Sequence, residues 1–307
     1  MNALTKNIDI LENILRRTGN LLDILLIDRT TKKNILWATD SYEKEYGKYF
    51  SPKLPMTPAL VTGKFGLLIQ PRASKSLDEQ RLRTKDKAEV FTPLKIIDQI
   101  NKAVENRSPN KSNWQDYIRE LKLEIACGEA PFIVSRYNPI AHTRKLIKLD
   151  NRVGFLDRKL KIVSKYCDKK NEWLFWAKEA FKSSYGYEWQ GDNVLIAREN
   201  LLFTFIDYYS DKFKQQPTLK TKEEFAEIIS WNIFQMDGLK YVVPMSCHHE
   251  TKFIPGAQTL FEKIPDKVEK QECEGCKNNQ PNKHNGRYVN IMDWSKNKII
   301  RFADLIK

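Results

Sequence analysis

The sequence predicts an α/β fold built on a parallel sheet. Three short runs read as strands, each followed by a turn signal: Leu121 to Cys127 before Gly128, Ser184 to Trp189, and Glu227 to Met236 before Asp237-Gly238. Between them lie long helical patterns, residues 152–184 and Val194 to Phe213. The order strand–helix–strand–helix–strand needs crossover connections, and crossovers generate parallel strands. With 41% apolar and 30% charged residues, the 307-residue chain has the composition of a globular protein of one large or two ordinary domains.

In order along the chain, residues 1–90 form a leading α/β region. Ile8, Leu11, Ile14, Leu15 and Leu22 have helical spacing, Leu21 to Asp28 and Asn34 to Ala38 suit strands, and Ser51-Pro52, Pro55 and Pro58 interrupt the pattern. Residues 91–240 form the core unit. It opens on a turn and then a helix, with Pro93 near its start and Ile96, Ile97, Ile100 and Val104 on one face. Asp192 is placed to cap the helix that follows the second strand. Residues 241–307 form a tail rich in Cys, His and Lys, with little periodicity before Lys298 to Ile306.

The net charge is +13, from 52 Lys+Arg against 39 Asp+Glu, which makes an acidic polymer, nucleic acid above all, the first partner to consider. Basic residues concentrate at Arg81, Arg83, Lys85 and Lys87, and again at Lys145, Lys148, Arg152, Arg158, Lys159 and Lys161, either of which would suit phosphate contacts. Five cysteines, an odd number, argue against a disulfide framework. The run Leu21 to Ile27 contains Asp23 and is too short to span a bilayer, and no secretory signal is visible. A cytoplasmic protein with no membrane partner is expected.

Parallel sheets bind ligands beyond the carboxyl ends of their strands. Three groups fall there. Gly128, just past the first strand in Ala126-Cys127-Gly128, lets the backbone approach a ligand. Glu188 ends the second strand, where an acid suits ribose hydroxyls. Asp237 ends the third, where an acid can accept from an adenine amino group. In this order they point to an adenosine-containing ligand.

These residues carry a resemblance. Phe91-Thr92-Pro93 looks like the motif that opens the gamma-class adenine-N6 DNA methyltransferases of restriction–modification systems. Ala126-Cys127-Gly128, Tyr187-Glu188 and Asn232 to Leu239 resemble that family's first-, second- and third-strand motifs. The chain is similar to restriction endonuclease M subunits in which Cys-Gly-Glu-Ala-Pro replaces Cys-Gly-Ser-Gly. The resemblance covers about residues 85–240. It implies a partial Rossmann-like methyltransferase sheet and S-adenosylmethionine as cofactor. Phe91 and Pro93, with Cys127 and Gly128, would lie at its methionine end, Glu188 at the ribose and Asp237 at adenine N6; Thr92 and Ala126 complete the implied cofactor site. Double-stranded DNA is the implied partner.

The family's catalytic Asn-Pro-Pro-Phe/Tyr is not in the sequence; Asn138-Pro139-Ile140 is the nearest string. Catalytic and target-recognition parts would then come from a second protein subunit. The alternative is a non-catalytic cofactor- or DNA-binding assembly protein with a degenerate methyltransferase fold.

In the tail, Cys247, Cys273, Cys276 and His284 suit a structural zinc. Cys273-Glu274-Gly275-Cys276 is a knuckle that can grip one ion with two thiolates. His248 and His249 are alternative fourth ligands. A tail this polar gains most from a metal staple.

Overall fold

The computed structural model describes residues 15–75, 78, 84–85, 92–107, 113–140, 145–256 and 265–306. Phe91, Arg81, Arg83, Lys87 and most of the helix expected over Ile8 to Leu22 lie outside them. Near the N-terminus come helices α1 (Leu21–Leu26), α2 (Glu43–Tyr46) and α3 (Pro58–Val61). Then follow α4 (Leu94–Asn106), α5 (Trp114–Arg119), strand β1 (Lys122–Glu124), α6 (Phe155–Tyr166), α7 (Lys170–Lys182) and β2 (Ser184–Glu188). Helices α8 (Gly191–Phe213) and α9 (Leu219–Asn232) lead to β3 (Ile233–Gln235). The tail holds β4 (Glu250–Ile254), β5 (Lys267–Gln271), α10 (Glu274–Asn278), β6 (Asn290–Asp293) and β7 (Lys298–Arg301).

The predicted alternation holds. The chain is a mixed α/β protein whose β1, β2 and β3 form a 3-stranded sheet in the order β1-β2-β3, both pairings parallel. Helices α6 and α7 make the first crossover, α8 and α9 the second. Leu123 stands opposite Tyr185, and Tyr187 opposite Phe234. The tail adds two antiparallel hairpins, β4–β5 and β6–β7.

Four expectations about local structure need correcting. Leu21 to Asp28 is a helix to Leu26, not a strand, because Leu21, Leu22, Leu25 and Leu26 put one apolar face into the core. Asn34 to Ala38 makes only isolated bridges, Ile27 with Asn34 and Leu36 with Pro55. Glu227 to Met236 is mostly the end of α9. Thr218 caps that helix by accepting from the Thr221 amide, and Phe225, Ala226 and Ile229 are its buried face, leaving Ile233 to Gln235 as strand. Asp192 sits inside the first turn of α8, where it accepts a 2.6 Å hydrogen bond from the Tyr42 hydroxyl instead of capping.

One apolar core runs from Leu15 to Ile233, so the leading region and the central unit share it. It holds Trp37, Trp173, Phe205 and Phe225, the last two stacked at 3.7 Å between centroids. Arg198 of α8, fully buried, ties the layers together. It donates to the carbonyls of Leu25 in α1 and Ile27 just past it, and to those of Ser230 and Ile233 where α9 becomes β3. A second cluster, Phe234, Met236, Val243, Val289, Ile291 and Phe302, packs the tail onto the sheet beside Tyr185 and Tyr187. Among the described residues no helix is long and apolar enough to cross a membrane.

Candidate functional site

A cavity of about 700 Å³ opens beside β1 and the carboxyl end of β2, within the usual size range of small-molecule sites. Its wall includes Thr92, Glu124, Ala126, Cys127, Gly128, Phe132, Glu188, Gln190 and Asn193. The loop after β1 is what shapes it. Ala126 (φ 47°), Gly128 (φ 53°) and Ala130 (φ 62°) are all left-handed. Glycine takes that conformation freely, whereas each alanine costs about 1–2 kcal/mol. Such strain persists only where surrounding contacts enforce it.

Glu188 holds the middle of this loop. Its Oε2 accepts from the Gly128 amide at 2.9 Å, and its Oε1 accepts from the amides of Trp189 and Gln190 at 2.9 and 3.0 Å. The Cys127 amide donates to the Tyr187 carbonyl at 2.8 Å, extending the β1–β2 pairing into the loop. Burial raises the Glu188 carboxyl above its ordinary range, and the amides of Gln190, Gly128 and Trp189 pull it back. Cys127 is buried, and burial pushes its thiol well up, so it is no nucleophile here.

Sequence reasoning passed over Glu124 as a site residue. It ends β1, just before the loop, and accepts from the amides of Phe132 and Ile133 at 3.3 and 3.0 Å. Burial pushes its carboxyl up to about 8. An acid near the end of a parallel strand, two residues before a left-handed position, was the available signal. Gln190 and Asn193, at the N-cap and in the first turn of α8, gave none.

The structure brings Thr92, Ala126, Cys127, Gly128 and Glu188 to one cavity; exposed Pro93 borders Thr92 outside its wall. Asp237 lies elsewhere. Its Oδ1 accepts from the amides of Leu239 and Lys240 at 3.0 and 3.2 Å, closing the turn after β3.

The second basic stretch is not a phosphate surface as a whole. Lys159 is buried and donates to the Glu120 carbonyl and the Ser183 hydroxyl. Arg152 pairs with Asp207 at 2.6 Å, Arg158 with Asp98 and Glu105, and Lys161 donates to the carbonyls of Asp150 and Arg152. Lys145 and Lys148 remain exposed, as does Lys85 of the first stretch.

The tail brings Cys247, Cys273, Cys276 and His284 together, with one ligand atom from each lying within 4.8 Å of all the others. The three sulfurs stand 3.6, 3.7 and 3.6 Å from His284 Nδ1. Tetrahedral zinc with ordinary Zn–S and Zn–N bonds needs an S···N separation of about 3.6 Å. The donor set and spacing therefore fit a structural zinc. The Asn285 amide donates to Cys273 Sγ at 3.2 Å, a contact that favours thiolate. Gly275 is required, because a Cβ there would lie 2.6 Å from the His284 amide nitrogen and 2.7 Å from Nδ1. His248 and His249 are exposed and outside the group.

Set against models of known protein families, curated proteins and solved structures, the chain matches none.

Proposed function

We propose that this chain is the cofactor-binding part of an adenine-N6 DNA methyltransferase of a restriction–modification system, with S-adenosylmethionine in the 700 Å³ cavity. The observation that supports it is the left-handed Gly128 loop held by Glu188 at the carboxyl ends of parallel strands, the place where such sheets bind nucleotides. Glu188 Oε2, with the Gly128 amide as its one amide partner, keeps acceptor capacity, which suits a ribose hydroxyl. Gly128 leaves room for the backbone to approach the methionine end. S-adenosylmethionine, when bound, supplies an electrophilic methyl group. This chain's residues would hold and orient it: Glu188, the 126–128 loop, Thr92 and Asn193, all of the cavity wall. Asp237 is left out of this reading, because its carboxylate closes its own turn.

We assign the catalytic and target-recognition parts to a second subunit; Asn-Pro-Pro-Phe/Tyr does not occur in these 307 residues. DNA is the proposed partner on the strength of the +13 charge. That same missing tetrapeptide favours the second reading, a non-catalytic cofactor- or DNA-binding assembly protein.

Calorimetric titration of the zinc-loaded chain with S-adenosylmethionine tests the proposal. Saturable binding that Glu188→Ala weakens supports it. Absence of binding by folded protein overturns it for this chain and advances the second reading.

A further inference from the structure

Cys276 and His284 bracket a loop, Lys277 to Lys283, whose residues are all exposed. Its sequence is Lys-Asn-Asn-Gln-Pro-Asn-Lys, and no acidic residue occurs between Glu274 and Asp293. The backbone of this loop is fixed along its length. The Lys277 amide donates to the Cys273 carbonyl at 2.9 Å, the Gln280 amide to Gly275 at 3.0 Å and the Lys283 amide to Gln280 at 3.0 Å, while the Gly275 amide donates back to Lys283 at 2.9 Å. The Tyr288 hydroxyl accepts from the His284 amide and donates to the Pro281 carbonyl, both at 2.9 Å. Asn279 ends α10 in the left-handed conformation (φ 51°), which asparagine adopts more readily than most side chains.

The side chains take no part in this bracing. Among the described residues the amides of Asn278, Asn279, Gln280 and Asn282 have no hydrogen-bond partner, and no carboxylate pairs with Lys277 or with Arg287 just past the loop. Asn285 makes the contrast: its amide nitrogen is taken by the His248 carbonyl and Glu250 at 2.8 and 2.9 Å. Glu274, the acid nearest the loop in sequence, is neutralised by Lys283 at 2.7 Å.

We infer that the Lys277–Lys283 loop is a contact surface for duplex DNA, its amides reading base edges while Lys277 and Arg287 hold phosphates. The chemistry selects that partner. A side-chain amide donates and accepts at once, which matches the N6 and N7 edge of adenine in the major groove. Free cations beside it supply the phosphate contacts that set position. A protein partner would need aromatic or apolar anchors, and the loop offers only Pro281. A single strand would need rings on which to stack its bases. The loop carries none, and the ring of neighbouring Tyr288 lies under Arg301 at 4.9 Å. Duplex edges and phosphates, which require no stacking, are what the loop suits. Its fixed backbone matters too, because ordering a loose loop on binding would subtract from affinity.

This rests on duplex DNA as the partner proposed above and on nothing in the cofactor. It adds a base-reading element within this chain to the target-recognition part assigned to a second subunit.

The test uses the full zinc-loaded chain without S-adenosylmethionine, titrated with short fluorescent duplexes of randomised sequence at several salt concentrations and with single strands of the same length. Duplex affinity should fall as salt rises. Lys277→Ala combined with Arg287→Ala should weaken it about tenfold or more and reduce the salt slope by about 2, one for each phosphate contact. Selection by the parent from the randomised pool should enrich adenine-containing sites. Asn278→Ala, Gln280→Ala and Asn282→Ala together should erase that enrichment and leave the salt slope unchanged. All five substitutions alter exposed side chains, so melting temperatures should match the parent's. Should a variant misfold, acetylation of the parent serves instead: duplex should shield Lys277 from the reagent more than it shields exposed Lys214. Duplex binding that neither variant changes overturns the inference while leaving DNA as a partner elsewhere on the chain. Absence of duplex binding by folded protein overturns both. Single strands bound as tightly as duplex, or a parent that enriches no sequence, also overturn the inference.

Discussion

The Gly128 amide donates a 2.9 Å hydrogen bond to Glu188 Oε2, and through it the end of the second strand fixes the loop that leaves the first. Residues 60 apart in sequence thus set the shape of one cavity wall. The same carboxylate receives the amides that open the turn into α8, so it serves as a hub for backbone donors and not only as a candidate ligand contact.

Glu188→Ala removes the acceptor for three amides at once. Unfolding in urea should show a loss of about 1–3 kcal/mol, the scale of buried hydrogen-bonding groups left unpaired. Glu188→Gln keeps one carbonyl oxygen and should fall between the parent and the alanine variant. A Glu188→Ala protein as stable as the parent would mean that the loop is held by other contacts.

Glu124 makes stability depend on pH with a definite sign. Burial raises its carboxyl from the ordinary 4.5 to about 8 in the folded protein. The native state therefore keeps a proton that the unfolded chain releases. This contribution is complete below about 4.5 and is lost as pH rises toward 8. The carboxyls of Glu188 and Asp157, also raised by burial, add in the same direction. Melting temperature should fall across that window, and Glu124→Gln, which cannot titrate, should gain on the parent as pH rises. A constant difference from pH 5 to 8 would refute the assignment.

The tail should depend on its metal. Chelation or Cys276→Ser should lower the melting temperature and expose the 239–306 segment to protease, while readded zinc should restore the parent but not the variant. Gly275→Ala forces a methyl group against the His284 backbone and ring, so it should weaken zinc retention as strongly as loss of a ligand. Metal analysis of freshly purified protein that finds no zinc would end this line of argument.

Arg198 offers a stability test far from either site. Arg198→Met strips four buried carbonyls of their donor and should cost about 3 kcal/mol or more, with Arg198→Lys intermediate. Equilibrium denaturation measures both.

The parallel order of the sheet and the Cys3His group were legible because each rests on local signals: a Gly or an acid after an apolar run, and paired cysteines at knuckle spacing. Leu21 to Leu26 was misread because a buried leucine run suits strand or helix equally until its partners are known. Residues 227–232 were misread for the same reason, since Ile228, Ile229 and Trp231 lie in a helix whose cap, Thr218, is far upstream. Lys159 and Arg152 looked like surface charges. Only the tertiary fold shows their partners, Ser183 and Asp207, which sit on other elements. Asp237 illustrates the converse. An acid at a strand end was correctly placed in sequence, yet its carboxylate closes the local turn instead of facing the cavity.

Cys247 and Cys273 converge on one point, while the stretch between them carries the β4–β5 ribbon, whose residues are almost all exposed. Both ends are pinned at the staple, which Glu250 of β4 also touches by accepting from Asn285 Nδ2 at 2.9 Å. Doubling the length of such a closed excursion costs only about 0.6 kcal/mol. Beyond Glu250 the excursion is thus a cassette, a part of the chain that should accept added length or a reporter sequence at little cost to the sheet and its cavity.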